Sequence, residues 1–361
     1  MPTREFSGWA CRVALAACAI IAWPLFAGFA ASAPQAPVTL ADTGLYSSFE
    51  RLEIDPSNLA FAPQYALWTD GASKRRWISL PPGTAIDASD PEAWVFPRGT
   101  RFWKEFSFGE RRVETRYIEH LPDGGWLYAA YEWSEDGRTA TLAPERGRGG
   151  AYAFVGGRSH TIPAASDCRV CHESGRTPVL GFSLLQLSPD RDAGALHTEP
   201  RPTPDLDLEA LVRAGLLVGL PEPLLARPPR IAAATPVERA ALGYLHANCG
   251  HCHNDEGPLR TLGLGLRHRT DVDPAPGVAT TVGAPIRKRA PGQSPEAVLR
   301  IEPGQPDRSG LAQRMGSRWA ALQMPPLGSN LVDEQALELV RQWIAGMEGL
   351  QAQTTGEGRK Q

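Results

Sequence analysis

The chain has 361 residues, a formal net charge of −3 at pH 7 and 42% hydrophobic side chains. That length allows two or three compact units. The slightly acidic balance argues against nucleic acid as a partner, because such binding needs a basic face. Gly and Pro are abundant, at 36 and 33 residues, which indicates many turns and loops rather than one long helical bundle.

The N-terminus has the pattern of an export signal. Arg4 and Arg12 accompany an almost wholly apolar run over residues 13–30, and the small residues Ala31-Ser32-Ala33 follow as a cleavage site. We therefore predict a signal peptide over residues 1–33. A retained membrane anchor is the less favoured alternative, since the apolar run is near the lower length limit for a membrane span.

Two copies of Cys-x-x-Cys-His contain every cysteine that follows this leader. They are Cys168-Arg169-Val170-Cys171-His172 and Cys249-Gly250-His251-Cys252-His253. This spacing is typical of covalent c-type haem attachment. Thiols three residues apart lie on one side of a helical turn. They can bond the two vinyl groups of one porphyrin, and the next His becomes the proximal iron ligand. We predict two haem c groups, with His172 and His253 as iron ligands and His251 facing solvent.

Zinc and disulfides are the rival interpretations of the cysteines. Structural zinc takes four ligands in a closed set, whereas two Cys-Cys-His sets supply six ligands with no fourth for either ion. A redox disulfide suits an oxidising compartment but does not need His at the next position. Haem attachment is favoured, and because bacteria attach c-type haem outside the cytoplasmic membrane, it implies a periplasmic location.

Residues 34–160 have the pattern of a β-rich module. Six of the ten tryptophans fall here, and short aromatic and β-branched runs alternate with Gly, Pro and Asp turn signals. The clearest runs are residues 76–80, 102–108, 113–119 and 126–133. Regularly spaced short strands predict a sandwich or small barrel. We expect the tryptophans to fill its core, with a carbohydrate-binding groove as the alternative.

Residues 161–230 form the predicted first haem-binding region, for which the sequence does not decide the sixth iron ligand. Pro163 lies too close to Cys168 for a full-length helix to lead into the motif. No methionine occurs between His172 and Met315. The sixth position is therefore left to a histidine, to Met315 or to no protein ligand. The histidine candidates are His160, His197, His120, His246 and His268.

Residues 231–349 form the predicted domain of the second haem. The segment Thr235-Pro236-Val237-Glu238 is a capping box that starts a helix leading directly into Cys249. Asp333 is expected to cap a final helix whose apolar face carries Trp343.

Met324 is the predicted sixth ligand of the second haem. It begins the stiff segment Met324-Pro325-Pro326-Leu327, which would hold its thioether in place. A soft sulfur ligand opposite His raises the reduction potential of the iron. Beyond this region, residues 350–361 are polar and are expected to form a flexible tail.

With these elements in place, residues 235–346 resemble a class I cytochrome c domain. The resemblance implies that Cys249 and Cys252 bind haem, with His253 proximal and Met324 distal. More widely, the chain resembles poorly characterised exported bacterial di-haem cytochromes with a β-rich N-terminal half, a family without an established substrate. The matching stretches are Leu67-Trp68-Thr69-Asp70-Gly71-Ala72, Phe96-Pro97-Arg98-Gly99-Thr100 and Glu114-Thr115-Arg116.

The expected fold class is α+β and multi-domain, with a β-rich sandwich or barrel followed by a mainly α-helical, cytochrome c-like C-terminal region. The expected function is that of a periplasmic di-haem c-type cytochrome. It would pass single electrons between redox partner proteins of the periplasm, with peripheral contact to membrane-bound respiratory components as a further option. The alternative is a peroxidase-like di-haem oxidoreductase with an open first haem. No catalytic side chains are predicted, because no carboxylate pair, nucleophile triad or phosphate-binding glycine loop is evident.

Overall fold

The computed structural model describes residues 35–154, 157–270 and 272–347. The predicted signal peptide, residues 1–33, and the predicted tail, residues 350–361, lie outside this part of the chain. Among the described residues, none of the helices combines the length and apolar character that a membrane span requires.

Within these residues the chain forms short strands throughout its N-terminal half and again near residue 217. The strands are β1 Tyr46–Ser48, β2 Glu53–Ile54, β3 Leu59–Phe61, β4 Ser73–Ser79, β5 Ile86–Asp87, β6 Arg101–Phe108, β7 Arg111–His120, β8 Trp126–Trp133, β9 Ala140–Leu142, β10 Arg148–Ala153, β11 Ser159–Ile162 and β12 Leu217–Val218.

The described helices lie in the C-terminal two thirds, apart from one short 3₁₀ turn at Leu40–Thr43. The α-helices are α1 Ala165–His172, α2 Leu208–Arg213, α3 Glu222–Ala226, α4 Pro236–Asn248, α5 Pro276–Ala279, α6 Gly310–Met315 and α7 Glu334–Ala345. Two further 3₁₀ turns cover Arg260–Leu262 and Pro306–Arg308.

The central feature of the N-terminal half is a six-stranded antiparallel sheet in the order β3-β4-β6-β7-β8-β9. Strands β4, β6, β7 and β8 coincide with the four runs predicted from the sequence. Successive side chains of a strand point to opposite faces, and here both faces are buried. Trp103 packs with Tyr117 and Tyr131 on one face, while Phe102 packs with Phe61 and Phe182 on the other.

The prediction of a sandwich or barrel was wrong. The other sheets in the described part of the chain have only two strands each, and the edge strands β3 and β9 of the large sheet do not pair with each other. One face is covered by the segment around Leu40 and Leu45. The other face is covered by non-strand chain from residues 179–187 and by helix α2. Loops and short helices therefore cover the faces of this sheet, whereas in a sandwich a second sheet covers one of them.

The tryptophans of this half fill the core, as predicted. Trp77, Trp94, Trp103 and Trp133 are all at most 5% exposed. Trp68 and Trp126 are partly buried. None of these six indole rings is exposed, which disfavours a sugar-binding groove built from them.

The two predicted helices of the C-terminal region are confirmed. Thr235 Oγ1 accepts a hydrogen bond from Glu238 N at 3.1 Å and caps α4. Asp333 Oδ1 accepts one from Ala336 N at 3.1 Å and caps α7. The apolar faces of the two helices share one core cluster, in which Leu245 of α4 lies with Trp343 of α7. This packing holds the last turn of α4, and so the start of the second Cys-x-x-Cys-His motif, in place.

The prediction that the C-terminal region is mainly α-helical and cytochrome c-like was wrong. Of the helices described in α4–α7, only α4 and α7 exceed six residues, and most of the chain between Asn254 and Asp333 is loop with isolated bridges such as Val282↔Ile301. The physical reason is the proline content of this stretch, since proline lacks the N–H that an interior helical position donates. The predicted domain boundaries at residues 160 and 230 stay predictions.

Gly243 of α4 offers a direct test of how this helix is seated. An added Cβ there would overlap the ring of Tyr65, which also donates a hydrogen bond to Asp192 Oδ2 at 3.0 Å. We predict that Gly243→Ala lowers the free energy of unfolding by about 1–3 kcal/mol through overpacking, as measured by urea denaturation.

The control is the same substitution in a Tyr65→Ala background. There the ring is gone, and Gly243→Ala should be neutral or stabilising because alanine favours a helix interior by about 1 kcal/mol over glycine. An equal loss in both backgrounds would show that the close approach of Gly243 and Tyr65 is wrong.

Candidate functional site

The first Cys-x-x-Cys-His motif occupies the short helix α1. The helix begins two residues after Pro163, in agreement with the expectation that no long helix leads into the motif. Asp167 Oδ2 accepts a hydrogen bond from Ala164 N at 3.0 Å and closes the first turn. Cys168 and Cys171 are partly buried free thiols one turn apart. The local fold therefore gives both thiols the same-side placement that attachment to one planar group requires.

His172 is held in the tautomer that an iron ligand needs. Its Nδ1 lies 2.6 Å from the carbonyl oxygen of Pro178, which can only accept a hydrogen bond, so Nδ1 carries the proton. Burial lowers the pKa of His172 to about 4, although the bond to Pro178 acts in the opposite direction. The imidazole is therefore neutral at pH 7, with its lone pair on Nε2. In metal-bound histidines, the ring nitrogen that does not bind the metal usually donates a hydrogen bond to a carbonyl or carboxylate oxygen, which fixes the orientation of the ring.

The second motif continues the last turn of α4. Cys249 N donates to Leu245 O and His253 N donates to Cys249 O, both at 2.9 Å. His253 is 9% exposed, and its Nδ1 has no hydrogen-bond partner in the described structure. Burial lowers the pKa of His253 to about 4, so this imidazole is also neutral at pH 7.

The two motifs meet in space, which the sequence does not indicate. The ligand atoms of Cys171, His251 and Cys252 all lie within 4.8 Å of one another. His251 is partly buried in this cluster, so the expectation that it faces solvent was wrong. Asn254 contributes to the junction, because its Nδ2 donates to Ser174 O at 2.9 Å, two residues beyond the first motif.

Two of the thiols at and beside this junction, Cys171 and Cys249, are protonated at neutral pH. A hydrogen bond to Cys252, reinforced by burial, raises the pKa of Cys171 to about 12. The same bond lowers the pKa of Cys252, which accepts it. Burial alone raises the pKa of Cys249 to about 12. Metal binding would first have to remove these protons, whereas thioether formation with a vinyl group consumes the S–H.

A cavity of about 490 Å³, hereafter the second cavity, brings together the predicted ligands of the second haem. Cys249, Cys252, His253 and Met324 all line it. Most of the remaining wall is apolar, with several leucines and Ile286. Met315, which is 7% exposed, lines the same cavity. The sequence-predicted set therefore converges on one space, whose size is in the range of cofactor sites.

The charged residues that line this second cavity are all cationic. They are Arg287, Lys288, Arg289, Arg300 and Arg314, and no aspartate or glutamate lines it. The hydrogen bonds described for these side chains run to backbone carbonyls; Arg300 Nη1, for example, donates to Gly263 O at 2.6 Å. An apolar cavity with cations and no acid suits an amphiphilic anion. The sequence run Arg287-Lys288-Arg289 was the available signal, and sequence reasoning missed it.

The first motif lines a separate cavity of about 390 Å³, hereafter the first cavity. Cys168, Cys171 and His172 line it, as do His246 and His268, and no methionine does. His246 Nδ1 accepts a hydrogen bond from His268 N at 3.0 Å, so its Nε2 carries the proton and is a donor. His268 is 8% exposed, and neither of its ring nitrogens has a hydrogen-bond partner among the described residues.

The other candidates for the sixth position of the first haem lie outside this cavity and are otherwise engaged. His160 Nε2 lies 2.9 Å from Glu114 Oε2, and His197 Nε2 lies 2.8 Å from Asp333 Oδ2. His120 Nδ1 lies 2.9 Å from Phe96 O. Met315 lines the cavity of the second motif instead. Of the predicted histidines, His246 and His268 are therefore the two that the fold brings to the first motif.

The donor sets fit two haem c groups. Each motif offers two free thiols and a neutral imidazole beside a cavity. A haem c needs two thioether bonds, a neutral imidazole and space for an apolar ring with acidic side arms. Cys168, Cys171 and His172 would hold one group, and Cys249, Cys252, His253 and Met324 the other.

Protein-family profiles, curated proteins and solved structures were each compared with the chain, and none of the three comparisons finds a match.

Titration of His246 should make the protein sensitive to acid. Burial lowers its pKa to about 3, with smaller effects of His268, Arg267 and His251 in the same direction. Between pH 6.5 and pH 3 the unfolded chain binds a proton at this histidine and the folded protein does not, so the free energy of unfolding falls as the pH falls. Asparagine can keep the acceptor for His268 N but cannot titrate.

We predict that the wild-type protein loses about 2 kcal/mol more stability than His246→Asn when the pH falls from 7 to 5. Urea denaturation of both proteins at the two pH values measures the difference. An identical pH dependence would mean that His246 is accessible to protons in the folded state.

Proposed function

We propose that this protein is a periplasmic di-haem c-type cytochrome that transfers single electrons. The observation that carries the proposal is the meeting of the two Cys-x-x-Cys-His motifs at Cys171 and Cys252, between two cavities. Cys168 and His172 line one cavity, and Cys249, Cys252 and His253 line the other. Groups bonded to neighbouring sulfurs are themselves neighbours, which suits the passage of an electron between them.

The chain's own residues supply binding, orientation and exclusion of water. His172 is oriented by Pro178 O, and His253 is held on the turn that follows α4. Met324 is placed in the second cavity, and its backbone N donates to Arg314 O at 3.0 Å. Bound haem would supply the redox chemistry, in which iron alternates between the ferric and ferrous states.

The cationic lining of the second cavity supports haem over a bare metal ion. Haem carries two carboxylate arms, and the five arginine and lysine side chains of this cavity can pair with them. A divalent cation would be repelled by the same side chains.

We further infer that the chain belongs with exported bacterial di-haem cytochromes, without the class I helical fold. Support comes from the sequence pattern of the leader and the two motifs. Its partners would be redox proteins of the periplasm, with membrane-bound respiratory components as a further option.

A peroxidase-like di-haem oxidoreductase is the second candidate. The observation that favours it is the absence of methionine from the lining of the first cavity, together with the protonated Nε2 of His246 in that lining. A hydrogen-bond donor beside an open iron can orient a small oxygen-containing ligand. The two candidates differ in the spin state of the first haem, which is low-spin in a carrier and high-spin in an enzyme of this kind.

Mass spectrometry of the exported protein tests haem attachment. In a host that matures c-type cytochromes, we predict that the mature chain is heavier by two haem groups. The Cys168→Ser/Cys171→Ser double variant should carry one haem, as should Cys249→Ser/Cys252→Ser. An unmodified wild-type mass, with a zinc or copper ion bound by Cys171, Cys252 and His251, would contradict the proposal.

Two methionines of one cavity make a matched pair for the sixth ligand. We predict that Met324→Leu lowers the reduction potential of one haem by at least about 59 mV, a tenfold change in the one-electron equilibrium constant. It should also abolish the sulfur-to-iron absorption band. Met315→Leu should leave both unchanged, because Met315 is assigned to core packing. Equal effects of the two substitutions would contradict the assignment of Met324 as the sixth iron ligand.

A further inference from the structure

Three cations stand directly opposite one another across the large sheet. The register pairs Arg76 of β4 with Lys104 of β6, and Lys104 with Arg116 of β7. Like charges at directly opposed positions destabilise a sheet. The row lies on the face that carries Phe102 and Ile78, and all three of its side chains line the cavity of the first haem motif.

The two outer members of the row are neutralised by buried carboxylates. Arg76 donates from Nε and Nη2 to the two oxygens of Glu199, at 2.7 and 2.6 Å. Arg116 donates in the same way to Glu114, at 2.6 and 3.2 Å. Both carboxylates are bidentate and nearly inaccessible, and Glu114 also lies 2.9 Å from His160 Nε2 through its Oε2. Both are therefore already engaged.

Lys104, in the middle of the row, has no such partner. No carboxylate of the described residues lies within ion-pair distance of its ammonium group, and its Nζ lies 4.9 Å from the centroid of the Phe106 ring. Burial lowers the pKa of Lys104 well below its ordinary value, and Arg76, Lys74 and Arg116 lower it further, while Glu199 opposes the shift. The charge is therefore costly unless an anion accompanies it.

We propose that Lys104 is an anion-binding residue of the first cavity, and that the occupant presents a carboxylate or small oxyanion to it between Arg76 and Arg116. The inference rests on the proposed function, because the haem reports the binding and is itself one possible source of the anion. Two sources share this chemistry: a carboxylate arm of the first porphyrin and a free oxyanion bound beside it.

The experiment uses the full mature protein with haem attached and three variants. Lys104→Met removes the charge and keeps the side-chain length, and Lys104→Arg retains the charge. Lys74→Met is the matched control, since Lys74 is a buried lysine on the same face of β4 but does not line the cavity. Each protein is titrated with nitrite in the oxidised state, and its haem potentials are measured.

A free oxyanion as occupant predicts saturable binding of nitrite by the wild type, at least tenfold weaker in Lys104→Met and retained in Lys104→Arg. A porphyrin carboxylate as occupant predicts no saturable binding of nitrite. In that case Lys104→Met lowers the potential of one haem by about 59 mV, a tenfold change in the equilibrium constant, because loss of a nearby cation favours ferric iron. If Lys104→Met matches Lys74→Met in both measurements, the inference is overturned.

Haem content separates this failure from failure of the proposed function. A preparation with no attached haem contradicts the di-haem proposal itself. A preparation with two haems, in which Lys104→Met behaves like the control, contradicts only the anion site.

Discussion

The contact between Cys171 and Cys252 is the interaction on which the rest of the site depends. One thiol lies in the last turn of the short helix α1, and the other follows the last turn of α4, some eighty residues later in the chain. Asn254 connects the two segments, because its amide donates to Ser174 O at 2.9 Å and its Oδ1 accepts from Gly257 N at 2.7 Å. Two motifs with separate sequence neighbourhoods thereby become one site.

The two cavities beside this contact differ in their electrostatics. The second is apolar, lined by five cations and no acids, and contains a thioether sulfur. The first borders the large sheet, where Lys104 stands between two arginines that already have buried carboxylate partners. Local charge and ligand type are the means by which a protein tunes a bound iron. The fold thus surrounds the two irons of the proposed cytochrome with unlike environments.

Sequence patterns were sufficient for the local elements. The strands β4, β6, β7 and β8 follow runs of aromatic and β-branched residues, and α4 and α7 follow capping residues at Thr235 and Asp333. The spacing of apolar residues and the capping residues are local signals, so they can be recognised without knowing which segments the element packs against. The convergence of His253 and Met324 on one cavity was also foreseeable, because a stiff proline segment in that position suggested a ligand loop.

Tertiary relations could not be predicted in the same way. The apolar residues on a buried sheet face have the same sequence pattern whether a second sheet or a set of loops covers that face. The sandwich prediction was therefore wrong. The helical C-terminal prediction extended two capped helices across a stretch in which proline excludes helix. The partial burial of His251 beside Cys171 depends on how distant segments pack together. The row of Lys104 with its neighbours depends on the register between strands. A single sequence reveals neither.

The magnetic coupling of the two proposed haem irons tests the central claim most directly. Electron paramagnetic resonance of the fully oxidised protein should differ from the sum of two isolated ferric centres, because haem groups attached at Cys171 and Cys252 would be neighbours. The single-haem variants at the cysteine pairs supply the isolated spectra for that sum. A wild-type spectrum equal to the sum would contradict the contact between the motifs.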